Sequence, residues 1–355
     1  MPGKCASPRR HRPAGILTVV SAGLVTAACT AGGSPAGGRA AGSGPSASPS
    51  ASPSAASPSA TPYNGPVAPL TGLPASAADA ARRAVALVIA GPRPRGLSAA
   101  DVIFEEISTP RRYIAVFQSR QYRAVGPITG TEPADGQLLS VLRPRIGYDG
   151  GSPGFIKILD NTQVTDRGYP AYSAPYTVRA GRLTASTSKL RGSARGSAPP
   201  QIFSYRGASS GATQLATAGE SRPSSVTVSI PGHSRRKWTF DARTDRWAQV
   251  SGGPPIQVAN LIVQFVRFKE VFLNRRYGIT VPSARVFGRG KADVFTGIGD
   301  TPDHGPGGLA ARGTWSKPGI PSVTNYFDSK GLPMELQPGT TWIILAPRST
   351  RVRAS

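Results

Sequence analysis

Apolar residues gather in one short run near the N-terminus, then give way to a long Ala/Ser/Pro/Gly stretch. They return as strand-length runs that continue to the end of the chain. The run at 84–91 (AVALVIAG) is continuous and ends at Gly and Pro, which predicts a strand buried on both faces. The run at 112–119 (RYIAVFQS) is β-branched and aromatic and predicts another strand. The stretch at 96–108 (GLSAADVIFEEIS) fits a helix or a strand. A helix is predicted over 133–145, with Leu138, Leu139 and Leu142 on one face. Residues 146–160 read as strand, Gly-rich turn and helix, with Ser152 at the N-cap and Pro153 in the first turn. Residues 191–219 are rich in Gly, Ser, Ala and Arg, and a domain boundary is expected near their end.

Beyond that boundary the apolar period becomes two. The segment at 224–230 alternates strictly, and 236–250 predicts a hairpin about Ala242-Arg243-Thr244. The longest strand is expected at 260–271, and a second hairpin is expected about Gly288-Arg289-Gly290. The fold class that follows is α+β: an N-terminal mixed α/β domain over 63–219, then a mostly antiparallel β domain over 220–348. A basic tail closes the chain at 349–355.

The N-terminus reads as an export signal over 1–28. Lys4, Arg9, Arg10 and Arg12 form a positive leader, and the apolar run from Ala14 to Ala28 follows it. That run is shorter than the roughly 20 residues a spanning helix needs. Ala27 and Ala28 place small residues before Cys29, and 29–62 cannot bury a core and reads as a disordered tether. Signal, cysteine and tether together are the layout of a bacterial lipoprotein, with Cys29 acylated as the first mature residue. Thr26 stands where such signals usually carry a branched apolar residue, so cleavage after an alanine or an uncleaved anchor also fits.

The chain carries a formal charge of +24 and two cysteines. Loss of 1–28 removes Cys5 and the four leader cations, so the mature chain has no intramolecular disulfide and stays strongly basic. Such a charge outside the membrane favours anionic lipids, anionic wall polymers or acidic proteins. Nucleic acid is not expected as a partner, because export places the chain elsewhere.

The segments PLTGLP, GLSAADVIFEEI, YIAVFQS, GPITGTEPADG and GGSP, followed by NLIVQFV and GTWSKPGIPSVTNYFDSKGLPMELQPGTTWIILAP, resemble the YerB-like lipoprotein family, a bacterial domain of unknown function. The C-terminal stretch, with Trp315, Lys317, Tyr326, Asp328, Gly331, Gly339 and Trp342, is its most specific part. The resemblance implies a two-domain exported lipoprotein and no established reaction. This chain departs from the family pattern in the first domain. Gly126–Glu132 lacks two expected arginines, and Tyr148-Asp149 and Tyr176-Thr177 stand where the pattern has histidines. Arg and His are the groups that bind an anion or move a proton, so a polar site there is rebuilt or lost.

Candidate chemistry is sparse. A catalytic cleft would have to gather Asp101, Glu105, Arg112, Asp149 and Ser152; alternatively Glu105 or Glu106 pairs with Arg111 or Arg112 as a structural ion pair. Ser186 and Lys189 have Ser-x-x-Lys spacing without the accompanying motifs, and read as a polar helix turn. Asp300, Asp303 and His304 read as a surface loop, so no metal is expected, and no cofactor motif is present. The four tryptophans are expected in the core of the second domain. The function expected is a non-catalytic binding or scaffold protein of the cell envelope, held on the outer face of the membrane by its lipid. Its expected partners are an envelope protein or an anionic wall polymer. The alternative is an envelope hydrolase acting on peptidoglycan or an anionic polymer.

Overall fold

The computed structural model describes residues 64–108, 110–193, 196–207, 221–274, 278–298 and 307–355. Cys29, the signal, the tether and the Asp300–His304 loop lie outside the described residues. Strands predominate and the helices are short. One ten-stranded mixed sheet organises the chain, in the order Asn325–Phe327, Leu309–Lys317, Gly288–Thr296, Asn260–Val266, Thr341–Pro347, Val102–Glu106, Arg112–Phe117, Val85–Ala90, Arg145–Gly147, Thr165–Asp166. Five strands come from each half of the chain. The halves meet where Val102–Glu106 pairs in parallel with Thr341–Pro347, from Val102 opposite Thr341 to Glu105 opposite Ile344.

The central strands are apolar on both faces because both faces are covered. Ala86, Val88, Phe104, Ile114 and Ile343 face a layer that includes Leu138, Leu139, Leu142 and Leu159, from the helical segments Asp135–Leu139, Ser140–Leu142 and Pro153–Leu159. Val85, Leu87, Ile103, Phe117, Trp342 and Ile344 face the opposite way. There they meet Val226, Val228, Trp238 and Trp247 of a five-stranded antiparallel sheet, ordered Gln257–Val258, Arg246–Ser251, Arg236–Asp241, Ser225–Ser229, Arg351–Ala354. All four tryptophans are buried. Each fully buried large side chain contributes about 1.5–3 kcal/mol, and an unpaired charge in either layer costs stability.

Three local expectations change. The ambiguous stretch at 96–108 is a 3-10 turn, Leu97–Ala99, followed by the strand Val102–Glu106. The helix expected over 133–145 is short, because Arg143 precedes Pro144 and adopts φ 49, which ends the helical path. The strand expected at 260–271 breaks at Arg267: Asn260–Val266 stays in the large sheet, whereas Phe268–Asn274 leaves it to pair with Ile279–Ala284.

The hairpin expected about Gly288-Arg289-Gly290 is not formed. Those residues begin the strand Gly288–Thr296, which pairs along its length with Leu309–Lys317. Gly290 lies opposite Trp315, and a Cβ there would fall 2.5 Å from the indole nitrogen. The glycine makes room for tryptophan, not for a turn.

Candidate functional site

Glu105 and Glu106 are neighbours on one strand, so their side chains leave on opposite faces. Glu105 is buried and collects three donors. Its Oε1 accepts from Arg236 Nε at 2.6 Å and lies 3.2 Å from Arg111 Nε. Its Oε2 accepts from Trp342 Nε1 at 3.0 Å. Arg236 belongs to the five-stranded sheet, so this carboxylate ties the two sheets together through a fully buried pair.

Glu106 faces the helical layer. It sits opposite Arg112 in the strand register and forms an ion pair with it. Arg112 also donates to both carboxylate oxygens of Asp135, to the Gly130 carbonyl at 2.9 Å, and lies 3.5 Å from Glu132. Asp135 Oδ2 further accepts from Thr131 Oγ1 at 3.0 Å and Glu132 N at 2.9 Å. Three carboxyl groups therefore surround one guanidinium. Burial pushes the Glu106 carboxyl up to about 8; Arg112 opposes this, and Asp135 and Glu132 add to it. Burial works against the charge on Arg112, yet Asp135, Glu106 and Glu132 outweigh it and hold the guanidinium charged. A buried carboxyl among like charges is raised in this way, and the bond from Arg112 is what opposes it.

The structural pairing of Glu105 and Glu106 with Arg111 and Arg112 is present, and it is larger than the local sequence implied. Asp135, Glu132, Arg236 and Trp342 complete it. The five residues proposed for a catalytic cleft do not assemble. Asp101 sits at the other end of its strand, where it accepts from Gln118 N at 2.5 Å and from Ser119 N at 2.8 Å and Ser119 Oγ at 2.5 Å. Burial raises its carboxyl, and the Ser119 and Gln118 donors pull it back. Asp149 is exposed, and its backbone N–H donates to the Thr129 carbonyl at 2.8 Å. Ser152 is the N-cap of Pro153–Leu159, without a side-chain capping bond. The Asp149–Gly151 backbone lies against Gly130 and Thr131, which brings that loop beside the Arg112 network. No hydrogen bond or ion pair joins any two of the five. Ser186 caps the helix Thr187–Arg191 by accepting from Lys189 N at 3.4 Å, the polar helix turn expected.

Tyr148 and Tyr176 are both buried and both hydrogen-bonded. Tyr148 donates to Asp166 Oδ2 at 2.9 Å, and Tyr176 donates to the Arg167 carbonyl at 2.5 Å. Burial raises both phenols far above their usual value. Both hydroxyls stay neutral and donate to fixed acceptors.

Lys317 is a lone buried cation. It is 1% exposed and donates to the Gln137 carbonyl at 3.4 Å. Burial lowers its ammonium to about 8. The cavity it lines, with Phe104, Leu138 and Tyr326, is only about 20 Å³, space for about one water.

Open space lies elsewhere. A cavity of about 330 Å³ is lined by Asp293, Arg312 and Asp328, but Asp328 is committed to turn amides at Lys330 and Leu332, and Asp293 stands opposite Arg312. A second cavity, of about 280 Å³, is lined by Arg267, Arg285, Arg289 and Arg348 with Phe287 and Trp315. Arg267 and Arg348 follow the ends of two parallel strands, in which Val266 lies opposite Pro347. Arg285 N donates to the Arg267 carbonyl at 2.8 Å, and its guanidinium lies 5.0 Å from the Phe287 ring centre. Trp315 is fixed by its Nε1 donating to the Phe265 carbonyl at 2.9 Å. All four arginines are exposed, and none is paired with a carboxylate among the described residues. Sequence reading counted them only as diffuse basic charge; their common signal is an arginine beside a strand end, in VRF, ARVFGRG and APR.

Residues 70–191 match the N-terminal domain, and residues 226–343 the C-terminal domain, of a family described as protein of unknown function (DUF3048). The crystal structure of YerB protein from Bacillus subtilis superposes with a TM-score of 0.62 over 81% of this chain and 99% of that chain, at 16% identity. That likeness is one of fold. No curated protein matches the chain. Among the described residues, no helix is long and apolar enough to cross a membrane.

Proposed function

The chain belongs to the DUF3048 family, and from that premise we propose that it is an exported lipoprotein that binds or scaffolds another component of the bacterial cell envelope. In this reading Cys29 carries the lipid, 29–62 is the tether, and the folded part works at the extracytoplasmic face of the membrane. The finer division into a mixed first domain over 63–219 and a mostly antiparallel second domain over 220–348 belongs to the same reading.

The observation that carries a binding role is the arginine cleft. None of its four cations is paired with a carboxylate among the described residues, whereas the arginines beside Glu105 and Glu106 are committed to holding the fold together. A group left unpaired at a concave surface is available to a partner. That partner is an envelope protein or an anionic wall polymer.

Crosslinking in intact cells, with mass spectrometry of the captured material, tests the reading. A discrete envelope component captured by the wild type and lost with Cys29→Ser is the expected result. Mass spectrometry of the mature N-terminal peptide should also show a diacylglycerol adduct on Cys29. An unmodified Cys29 in the mature or uncleaved chain would sink the lipoprotein assignment.

A further inference from the structure

We propose that the cleft formed by Arg267, Arg285, Arg289 and Arg348 binds consecutive phosphate groups of a phosphodiester polymer. The proposal rests on the binding role given above and names the ligand chemistry. Guanidinium groups present a planar fork of donors that matches phosphate oxygens in pairs. Four arginines line one cavity of about 280 Å³ without a carboxylate in its lining. Like charges gathered this way repel, and an anion between them relieves the repulsion.

The count of charges sets the class of ligand. One phosphodiester carries a single negative charge and leaves most of the cleft unbalanced. A chain presenting successive phosphates balances it. The walls are prepared for such a chain. Arg285 is stacked on Phe287, which limits the freedom its guanidinium would lose on binding. Trp315 is held by its bond to Phe265, and Gly290 leaves space for the indole. Phe287, half-buried, offers apolar surface to the carbon units between phosphates, whereas Trp315 is buried. The site is concave, so a flexible polymer segment can enter it where the flat face of a bilayer cannot.

The test is calorimetric titration of the purified full-length chain with a synthetic glycerol-phosphate oligomer. Saturable binding is expected. Arg285→Gln/Arg289→Gln should weaken it at least about tenfold, the scale of two charge-assisted contacts. Arg179→Gln/Arg182→Gln removes the same charge from an exposed hairpin far along the sequence and should change affinity less than about twofold. Arg285→Lys/Arg289→Lys keeps the charge but loses the fork, and should still weaken binding severalfold. An unchanged melting temperature confirms that each variant is folded. Equal losses in the two Gln variants would reduce the effect to net charge and overturn the site. So would a lack of saturable binding. Tighter, cleft-dependent binding to vesicles of phosphatidylglycerol and phosphatidylcholine would instead make it a membrane-surface site. Oligomer binding without capture in cells would sink the envelope role and leave the cleft assignment standing.

Discussion

Two groups of arginines in this chain have opposite surroundings. Arg112 and Arg236 are buried, each against carboxylates supplied by other elements. Arg267, Arg285, Arg289 and Arg348 are exposed and line one cleft with no carboxylate beside them. The first group is spent on architecture: Arg112 joins strand to helix, and Arg236 joins sheet to sheet. The second group holds no carboxylate among the described residues and is open to an external anion. Residue type is the same in both; what separates structural from available charge is the number of fixed partners.

The largest effect should come from breaking the densest network. Arg112→Met leaves Glu106, Asp135 and Glu132 facing one another without a cation. Breaking a buried pair on one side costs about 3–5 kcal/mol. Urea unfolding should show that loss, and a change under about 1 kcal/mol would mean the network is not structural. Arg236→Met should cost less, about 2–3 kcal/mol, because Glu105 keeps Arg111 and the Trp342 indole as donors. If both variants cost the same, the sheet-to-sheet pair is as demanding as the network of three carboxyls, and the ranking fails.

Lys317 sharpens the contrast from a third side, as a buried cation with no carboxylate partner among the described residues. Its folded value of about 8 lies below the ordinary 10.5. The unfolded chain therefore binds more protons between those values, and stability rises with pH across that window. Below about 8 both states are charged and the burial cost is fully present. Lys317→Met should stabilise the protein by about 1–2 kcal/mol at neutral pH. That advantage should shrink as pH climbs from about 8 toward 10. Thermal melts of both proteins across that range check the sign; an advantage that grows with pH would show the ammonium is paired.

Much of the sheet was legible because strands covered on both faces have a plain signature. AVALVIAG is a continuous apolar run, RYIAVFQS and NLIVQF are dominated by β-branched, aromatic and other apolar residues, and each is a central strand. The pairing of Glu105 and Glu106 with their nearby arginines was legible because those residues are adjacent in sequence. Arg236 was not, because the two sheets that place it on Glu105 are joined only in three dimensions. Gly288–Gly290 misled because glycine serves two purposes, turning a chain and admitting a large neighbour, and only the position of Trp315 separates them. The cleft was hidden for a related reason. Its arginines are dispersed between 267 and 348; the register of two parallel strands brings Arg267 beside Arg348, and a backbone bond from Arg285 to Arg267 adds the next.

The smallest stability effect belongs to the cleft itself. Arg289→Gln removes an exposed side chain with no internal pair, so the unfolding free energy should move by less than about 0.5 kcal/mol. The same variant becomes informative when a ligand is added. An anion bound only by the folded state raises the melting temperature in proportion to the logarithm of its concentration over Kd. With the glycerol-phosphate oligomer present, the wild type should melt higher and Arg289→Gln should gain less. A variant that matches the wild type both without and with the oligomer would show that Arg289 is only solvated charge, and the distinction between the two groups of arginines would lose its functional half.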